Sequence, residues 1–302
     1  MVSQAIAFPS VRPSDVWNTD ILPVKHNLGD SPLFTDEALA ELVSANPDAI
    51  REVATMDVER EDLKAWKNGS VSSIDPATLL DAVRSGTLWI NLGDVGARDQ
   101  RYQAVIDELL EGVEAEMPGL ETFRRKIGIL ISSPNARVYY HADIPGQGLM
   151  HIRGTKKIWI YPGEEPYLQR DELEGVVTKL TAEEITYRPQ FDDAATCVEL
   201  HPGDGALWPL NWPHRVQNGN SLNVSATIEY WTSDIRRTYA MNYANGVMRQ
   251  VFGMNPKSRA TSGTGFWAKA AFAAAWKMSG LNERYQHKFK NEFTLDEATA
   301  TR

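Results

Sequence analysis

Apolar and polar residues alternate in short runs across the middle of the chain. KIGILIS, RVYYHAD, GLMHIRG, KKIWIYP, EEITYRP, TCVELHP, GALWPL and LNVSATIEYW follow one another between 126 and 231, separated by turn residues. Period-two runs at this spacing predict strands of a β-sandwich or barrel. In the last run, Asn223, Ser225 and Thr227 fall on one face and Leu222, Val224, Ala226 and Ile228 on the other. One helical excursion is expected between 162 and 183, where the run GEEPYLQRDELEGVVTKL is acidic in character.

The flanks follow other periods. Residues 35–45 predict a helix capped by Thr35, with Leu39, Leu42 and Val43 at helical spacing. Asp75 and Pro76 open a second helix that runs to Gly86, and 99–117 predicts a third, stopped by Pro118-Gly119. Short strands are expected at 52–58 and 87–92, and a proline-bearing arm lying on the surface over 1–30. Helices return at 236–249 and 264–278, and the residues after 292 are expected to fray. On the last helix Phe266, Trp267, Ala270, Ala274 and Met278 lie near one stripe, suited to packing on the barrel or on a second copy of the chain. The division expected is a mixed α/β scaffold over 1–124 without a chemical motif, a β core over 125–233 and a helical segment over 234–302.

Composition narrows the function classes. A chain of 302 residues with 42% hydrophobic and 24% charged residues is ordinary for a globular protein. A net charge of −9 without a basic face argues against a nucleic-acid partner. No apolar run is long enough for a transmembrane helix, so no membrane partner is expected, and the N-terminus lacks a secretory pattern. Cys197 is the only cysteine, which excludes an intrachain disulfide and fits a reducing cytoplasm.

The candidate chemistry begins at His141-Ala142-Asp143. In a strand His141 and Asp143 share a face, so an imidazole and a carboxylate stand side by side. One further nitrogen completes a two-histidine, one-carboxylate set of the kind that holds Fe(II) and leaves positions open for cosubstrate and O2. Of the six histidines, His201 and His214 fall in the later strands; His201 adjoins a turn and reads as a surface residue. His214 follows the Trp212-Pro213 step. His151 reads as a core or rim residue, Trp208, Trp212 and Trp231 as packing residues, and Arg215 as a partner for an acidic group.

The spacing Gly203, Pro209, His214, Asn218 resembles the second cupin motif, with Asn211 where a glycine is usual, and His141-Ala142-Asp143 stands where the first metal-binding pair belongs. The block 125–232 therefore resembles JmjC/cupin-like Fe(II)- and 2-oxoglutarate-dependent oxygenases, near the asparaginyl-hydroxylase branch. The resemblance implies an α+β fold with a mainly β core: a double-stranded β-helix (jelly-roll, cupin) barrel with a helical N-terminal scaffold and a helical C-terminal segment that forms a homodimer. It implies His141, Asp143 and His214 as iron ligands, and Lys156, fifteen residues after His141, as the anchor for the distal carboxylate of 2-oxoglutarate. Gln147 matches an amide that contacts this cosubstrate. Val138 stands where a hydroxyl residue is common, leaving Tyr139 or Tyr140 to supply it. The polar row of Asn223 and Ser225 is suited to bonding the cosubstrate or the groups behind the iron. The activity implied is hydroxylation of a peptide side chain or small metabolite with release of succinate and CO2. The alternative is a metal-binding cupin without oxidation, acting as a ligand- or sugar-binding or regulatory module, for which a buried lysine opposite the metal has no use.

Overall fold

The computed structural model describes residues 6–45, 50–56, 66–72, 74–288 and 290–296. Its strands in chain order are β1 (Ile6–Ala7), β2 (Leu22–His26), β3 (Ile50–Met56), β4 (Trp66–Val71), β5 (Leu88–Leu92), β6 (Phe123–Ser132) and β7 (Arg137–His141). They continue with β8 (Gly146–Arg153), β9 (Lys156–Ile160), β10 (Thr196–Leu200), β11 (Asp204–Trp208), β12 (His214–Asn218), β13 (Asn223–Trp231) and β14 (Phe293–Leu295). A ten-stranded sheet runs β1-β2-β11-β8-β13-β6-β5-β3-β4-β14, and a four-stranded sheet runs β10-β9-β12-β7. All pairings are antiparallel except β14 with β4. The architecture is mixed α+β with large sheets.

The alternation explains how the layers stack. Val224, Ala226 and Ile228 of β13, with Ile127, Ile129 and Ile131 of β6, join the core that also holds Leu79, Val83, Val105, Ile106 and Leu109 of the helices Pro76–Ser85 and Gln100–Glu116. Burying each such side chain contributes about 1.5–3 kcal/mol, so this face fixes the register of both strands. A slip by one residue would turn Asn223 and Ser225 into the helices. The opposite face of the large sheet meets the small one: Leu130, Leu149 and Trp208 pack with Tyr139, Ile158, Ile160 and Leu200. Outside the small sheet, Tyr140 and Tyr161 pack with the helix Arg170–Thr178 and with Tyr243, Ala244 and Val247 of the helix Ser233–Gln250. On that side Arg215 donates to the Tyr161 hydroxyl and to Asp192, its acidic partner, and lies 4.0 Å from the Trp159 ring.

Several expectations need correction. The N-terminal third is not only a helical scaffold set against a barrel. β5 pairs with β6 and carries β3 and β4 with it, while β2 pairs with β11 at the other side. The proline-bearing arm is therefore partly a sheet strand, with Leu22 and Val24 buried. Pro23 is tolerated there because β2, outside β11, is bordered only by the two-residue β1. The run 183–189 forms no strand; it makes a single bridge, Glu184 to His141, before the turn Pro189–Ala194, whose first residue has no N–H to give a ladder. Residues 293–295 pair with β4 and are not frayed. The strand expected over 52–58 is present from Ile50 to Met56, and residues 57 and 58 lie outside the described residues. The helix Gly263–Met278 buries Phe266 and Ala273 and leaves Trp267 and Met278 exposed. Among the described residues no helix is long and apolar enough to cross a membrane.

Candidate functional site

Two strand ends and one loop deliver the metal-ligand candidates. His141 closes β7 and His214 opens β12, and the two pair directly across the small sheet. Between His141 and Val138 the first strand carries one residue more than the second does between His214 and Val216, so a bulge lies beside the site. Asp143 lies just past β7. Donor atoms of His141, Asp143 and His214 all lie within 4.8 Å of one another, close to what one ion at about 2 Å from each ligand needs. His214 Nε2 stands 3.4 Å from Asp143 Oδ2, and the imidazole rings lie 4.2 Å apart.

The orientation of both imidazoles is set from behind. His141 Nδ1 is 2.8 Å from the Tyr139 carbonyl and His214 Nδ1 is 3.3 Å from the Trp212 carbonyl. With Nδ1 as the donor, each ring turns a lone pair on Nε2 toward Asp143. Burial, reinforced by His141, holds the His214 imidazole well below its ordinary pKa, so it is neutral and ready to ligate. Burial also pushes Asp143 up to about 6 against the pull of His141, with Glu183 and Glu229 adding to the rise. Asn211 has a φ of 60°, a left-handed position that explains the usual glycine and that asparagine tolerates. Its amide donates to the Asp143 carbonyl at 2.5 Å, bracing the loop that carries the carboxylate.

A cavity of about 150 Å³ adjoins these three residues. Gln147 and Tyr139 line it, as does Val138, so of the two tyrosines only Tyr139 faces the site. Tyr140 belongs to the outer layer and donates its hydroxyl to the Tyr167 carbonyl. Trp208 also lines the cavity, with its ring 4.7 Å from that of His214, which is a site position and not packing alone.

Lys156 and Ser225 lie one inward-facing step beyond the cavity-lining Ile158 and Thr227, about 6.7 Å deeper along their strands. Lys156 is 3% exposed and its Nζ donates to Ser225 Oγ at 3.0 Å. Burial lowers its pKa to about 7. His151 is fully buried and its Nδ1 reaches the same hydroxyl at 3.0 Å; burial first, and Lys156 second, lower its pKa to about 3. Asn223 is not brought to this group. Its amide bonds the Ser221 carbonyl, because β13 starts there and the turn before it offers a nearer acceptor. His201 is exposed, as expected of a residue beside a turn.

Sequence reasoning missed the residues that reach the cavity from outside the central strands. Glu52, Trp66, Trp89 and Asn91 come from β3, β4 and β5, and Glu183 from the segment bridged to His141. Only the β5–β6 pairing brings the first four to the site, and no local period reports a pairing of that range.

Neither a family model nor a curated protein matches this chain. Among solved structures, it is similar to Escherichia coli YcfD at 15% identity and a TM-score of 0.48, over 90% of this chain and 67% of that one. A structure described as the E. coli ribosomal oxygenase YcfD gives 14% identity and 0.49, over 93% and 70%. A third, in complex with cobalt and 2-oxoglutarate, gives 15% and 0.47, over 89% and 67%.

Proposed function

We propose that the protein is an Fe(II)- and 2-oxoglutarate-dependent oxygenase of the hydroxylase type, built on a double-stranded β-helix. The observation that carries the reading is the convergence of His141, Asp143 and His214 at one end of an interior whose deeper end holds the buried ammonium of Lys156. The donor set fits iron: two imidazoles held by backbone carbonyls and one carboxylate, with open space beside them.

When bound, iron supplies the activation of O2 coupled to decarboxylation of 2-oxoglutarate to succinate and CO2. The chain's own residues do the rest. Lys156 would take the distal carboxylate of the cosubstrate in a charge-assisted hydrogen bond, with Ser225 orienting the ammonium. A buried ammonium without a carboxylate is costly, and the cosubstrate removes that cost. Gln147 and Tyr139 stand at the cavity wall to orient what enters, and Trp208 covers His214 against water. The substrate is a peptide side chain or a small metabolite. A reducing cytoplasm suits the ferrous state and the single cysteine, Cys197. Exposed Phe252, Trp267 and Met278 suit a homodimer through the C-terminal helices, which light scattering would show as twice the chain mass.

The test is turnover without substrate. Purified protein with Fe(II) and O2 should convert 2-oxoglutarate to succinate, and His141→Ala should not. Metal binding with no 2-oxoglutarate binding would move the protein to the non-oxidative cupins.

A further inference from the structure

The inner end holds one group that the metal and the cosubstrate do not account for. His151 of β8 is fully buried, and its Nδ1 lies 3.0 Å from the Ser225 hydroxyl. The same hydroxyl takes a hydrogen bond from Lys156 Nζ at 3.0 Å. A serine oxygen that accepts from an ammonium still has its own proton to give. The imidazole is the acceptor within reach, so donation runs from Lys156 to Ser225 to His151. With Nδ1 accepting, the ring carries its proton on Nε2 and is neutral. Burial and then Lys156 favour that same uncharged form.

Two further features set His151 apart from a residue that only fills space. The ladder between β8 and β13 pairs Val224 with Arg153 and then Ser225 with His151, passing over Ile152. An unbroken ladder would set Ile152 opposite Ser225; the extra residue in β8 brings the imidazole there instead. Ile152 keeps its place in the apolar core on the helix side of the sheet. In addition, Nε2 of His151 is buried and makes no hydrogen bond among the described residues. An orphaned N–H in the interior costs stability that an apolar side chain of similar size would not. The fold bears that cost at the residue that faces Ser225.

We propose that His151 is a positioning residue for the cosubstrate anchor: it holds the Ser225 proton, so that the serine oxygen faces Lys156 and fixes the direction of the ammonium. The acceptor for this task has to be uncharged. A carboxylate at 151 would pair with Lys156 and take the place of the distal carboxylate of 2-oxoglutarate. An imidazole orients the serine and leaves the charge of the ammonium unmet. Of the three N–H groups on Nζ, one goes to Ser225 and two remain to meet the cosubstrate. This assignment rests on the oxygenase reading, since without 2-oxoglutarate Lys156 has nothing to anchor.

The experiment is calorimetric titration of 2-oxoglutarate into the full chain loaded with Mn(II), in a double-mutant cycle of His151→Leu and Ser225→Ala. Each single variant should weaken 2-oxoglutarate about ten-fold, the loss of one oriented hydrogen bond, with Mn(II) affinity unchanged. The double variant should bind no more weakly than Ser225→Ala alone, because His151 acts only through that hydroxyl. His151→Asn keeps an acceptor near the Nδ1 position and should recover most of the loss. His151→Asp should bind most weakly, its carboxylate taking the ammonium. Thermal unfolding without cosubstrate reports that each variant is folded. A histidine with a merely structural role would behave differently: His151→Leu would unfold at lower temperature and bind 2-oxoglutarate at least as tightly as the wild type. That result, or losses that add in the double variant, would overturn the proposal and leave the oxygenase reading standing. Should the leucine variant not fold, the asparagine and aspartate variants carry the test, and equal 2-oxoglutarate binding by the two would overturn it. A wild-type protein that binds Mn(II) but no 2-oxoglutarate would overturn both the proposal and the oxygenase reading.

Discussion

At the inner end of the protein's interior lies one cation, Lys156, which shares the Ser225 hydroxyl with the imidazole of His151 and has no carboxylate bonded to it among the described residues. At the cavity end lie Glu52, Glu183 and Glu229, with no cation among the described lining residues. The metal-ligand triad stands at the cavity. The two ends thus differ in the sign of the charge they carry, and strands of the same sheets support both. β13 gives Ser225 to one and Glu229 to the other, and β9 gives Lys156 to one and Ile158 to the other. A fold selected for stability alone would let these groups meet or replace them with apolar residues. Their separation teaches that strand register, which puts Ser225 and Glu229 on one face of β13 four residues apart, holds the buried ammonium away from the carboxylates beside the triad.

The largest break in that comparison comes from the middle. Replacing His214 or Asp143 by alanine should weaken Mn(II) binding by at least about 100-fold and take 2-oxoglutarate turnover to background. Calorimetric titration with Mn(II) and succinate release check the two halves of this expectation. Next comes the inner end. Lys156→Met fills the same space without charge, so the fold should survive while 2-oxoglutarate affinity drops about 100-fold. Metal affinity measured without cosubstrate should change little, which separates this variant from the triad variants. Unchanged 2-oxoglutarate affinity would remove Lys156 from the reading.

How much of this the sequence carried differs between the two ends. His141 was legible as a strand residue with a carboxylate two positions on, although β7 ends at His141 and the loop after it, not strand alternation, places Asp143; His214 was legible because a proline step and a turn set it apart from His201. Lys156 was legible through the register of a family motif, and its burial follows from Ile158 and Ile160 on the same face of β9. The cavity end was not legible. Glu52, Trp66 and Trp89 sit in strands whose own pattern says only that they are strands; β5 pairing with β6 aims them at the site. Glu183 depends on one bridge, not a ladder. Asn223 shows the opposite failure, since alternation placed its face correctly while a local acceptor at Ser221 took its amide. Local chemistry is written locally, whereas charge brought by long-range pairing is not.

A smaller effect reports the inner end through pH. Burial lowers the Lys156 pKa from its ordinary range to about 7, so the folded protein without cosubstrate gives up that proton more readily than the unfolded chain. Between about 7 and the ordinary lysine value near 10.4 the unfolded state holds more protons, and stability therefore rises with pH across that window. Below it the full cost of the buried charge is present. The total is on the order of a few kcal/mol and should be missing in Lys156→Met, which urea unfolding from pH 6.5 to 10 would show as a flatter profile. Saturating 2-oxoglutarate with Mn(II) should flatten the wild-type profile too, because a carboxylate beside the ammonium raises its folded pKa again. A wild-type slope of the opposite sign would show that some other group governs this window.

The smallest effect lies at Asn211, and it separates backbone from side chain at the loop that carries Asp143. Asn211→Gly keeps the left-handed conformation free of strain and loses the amide bonds to the Asp143 and Ile144 carbonyls. Asn211→Ala loses both the bonds and the conformational tolerance. Glycine should cost about 1 kcal/mol in unfolding free energy and alanine about 1 kcal/mol more. Metal binding should order the variants in the same way, because the side chain braces the ligand loop and not the histidines, whose rings are held by their own neighbouring carbonyls. If glycine binds Mn(II) as tightly as asparagine, the amide is only a loop staple. If glycine weakens Mn(II) several-fold while turnover per bound metal stays constant, Asn211 is a positioning residue for Asp143, and the departure from the usual glycine is a second support for the carboxylate arm of the triad.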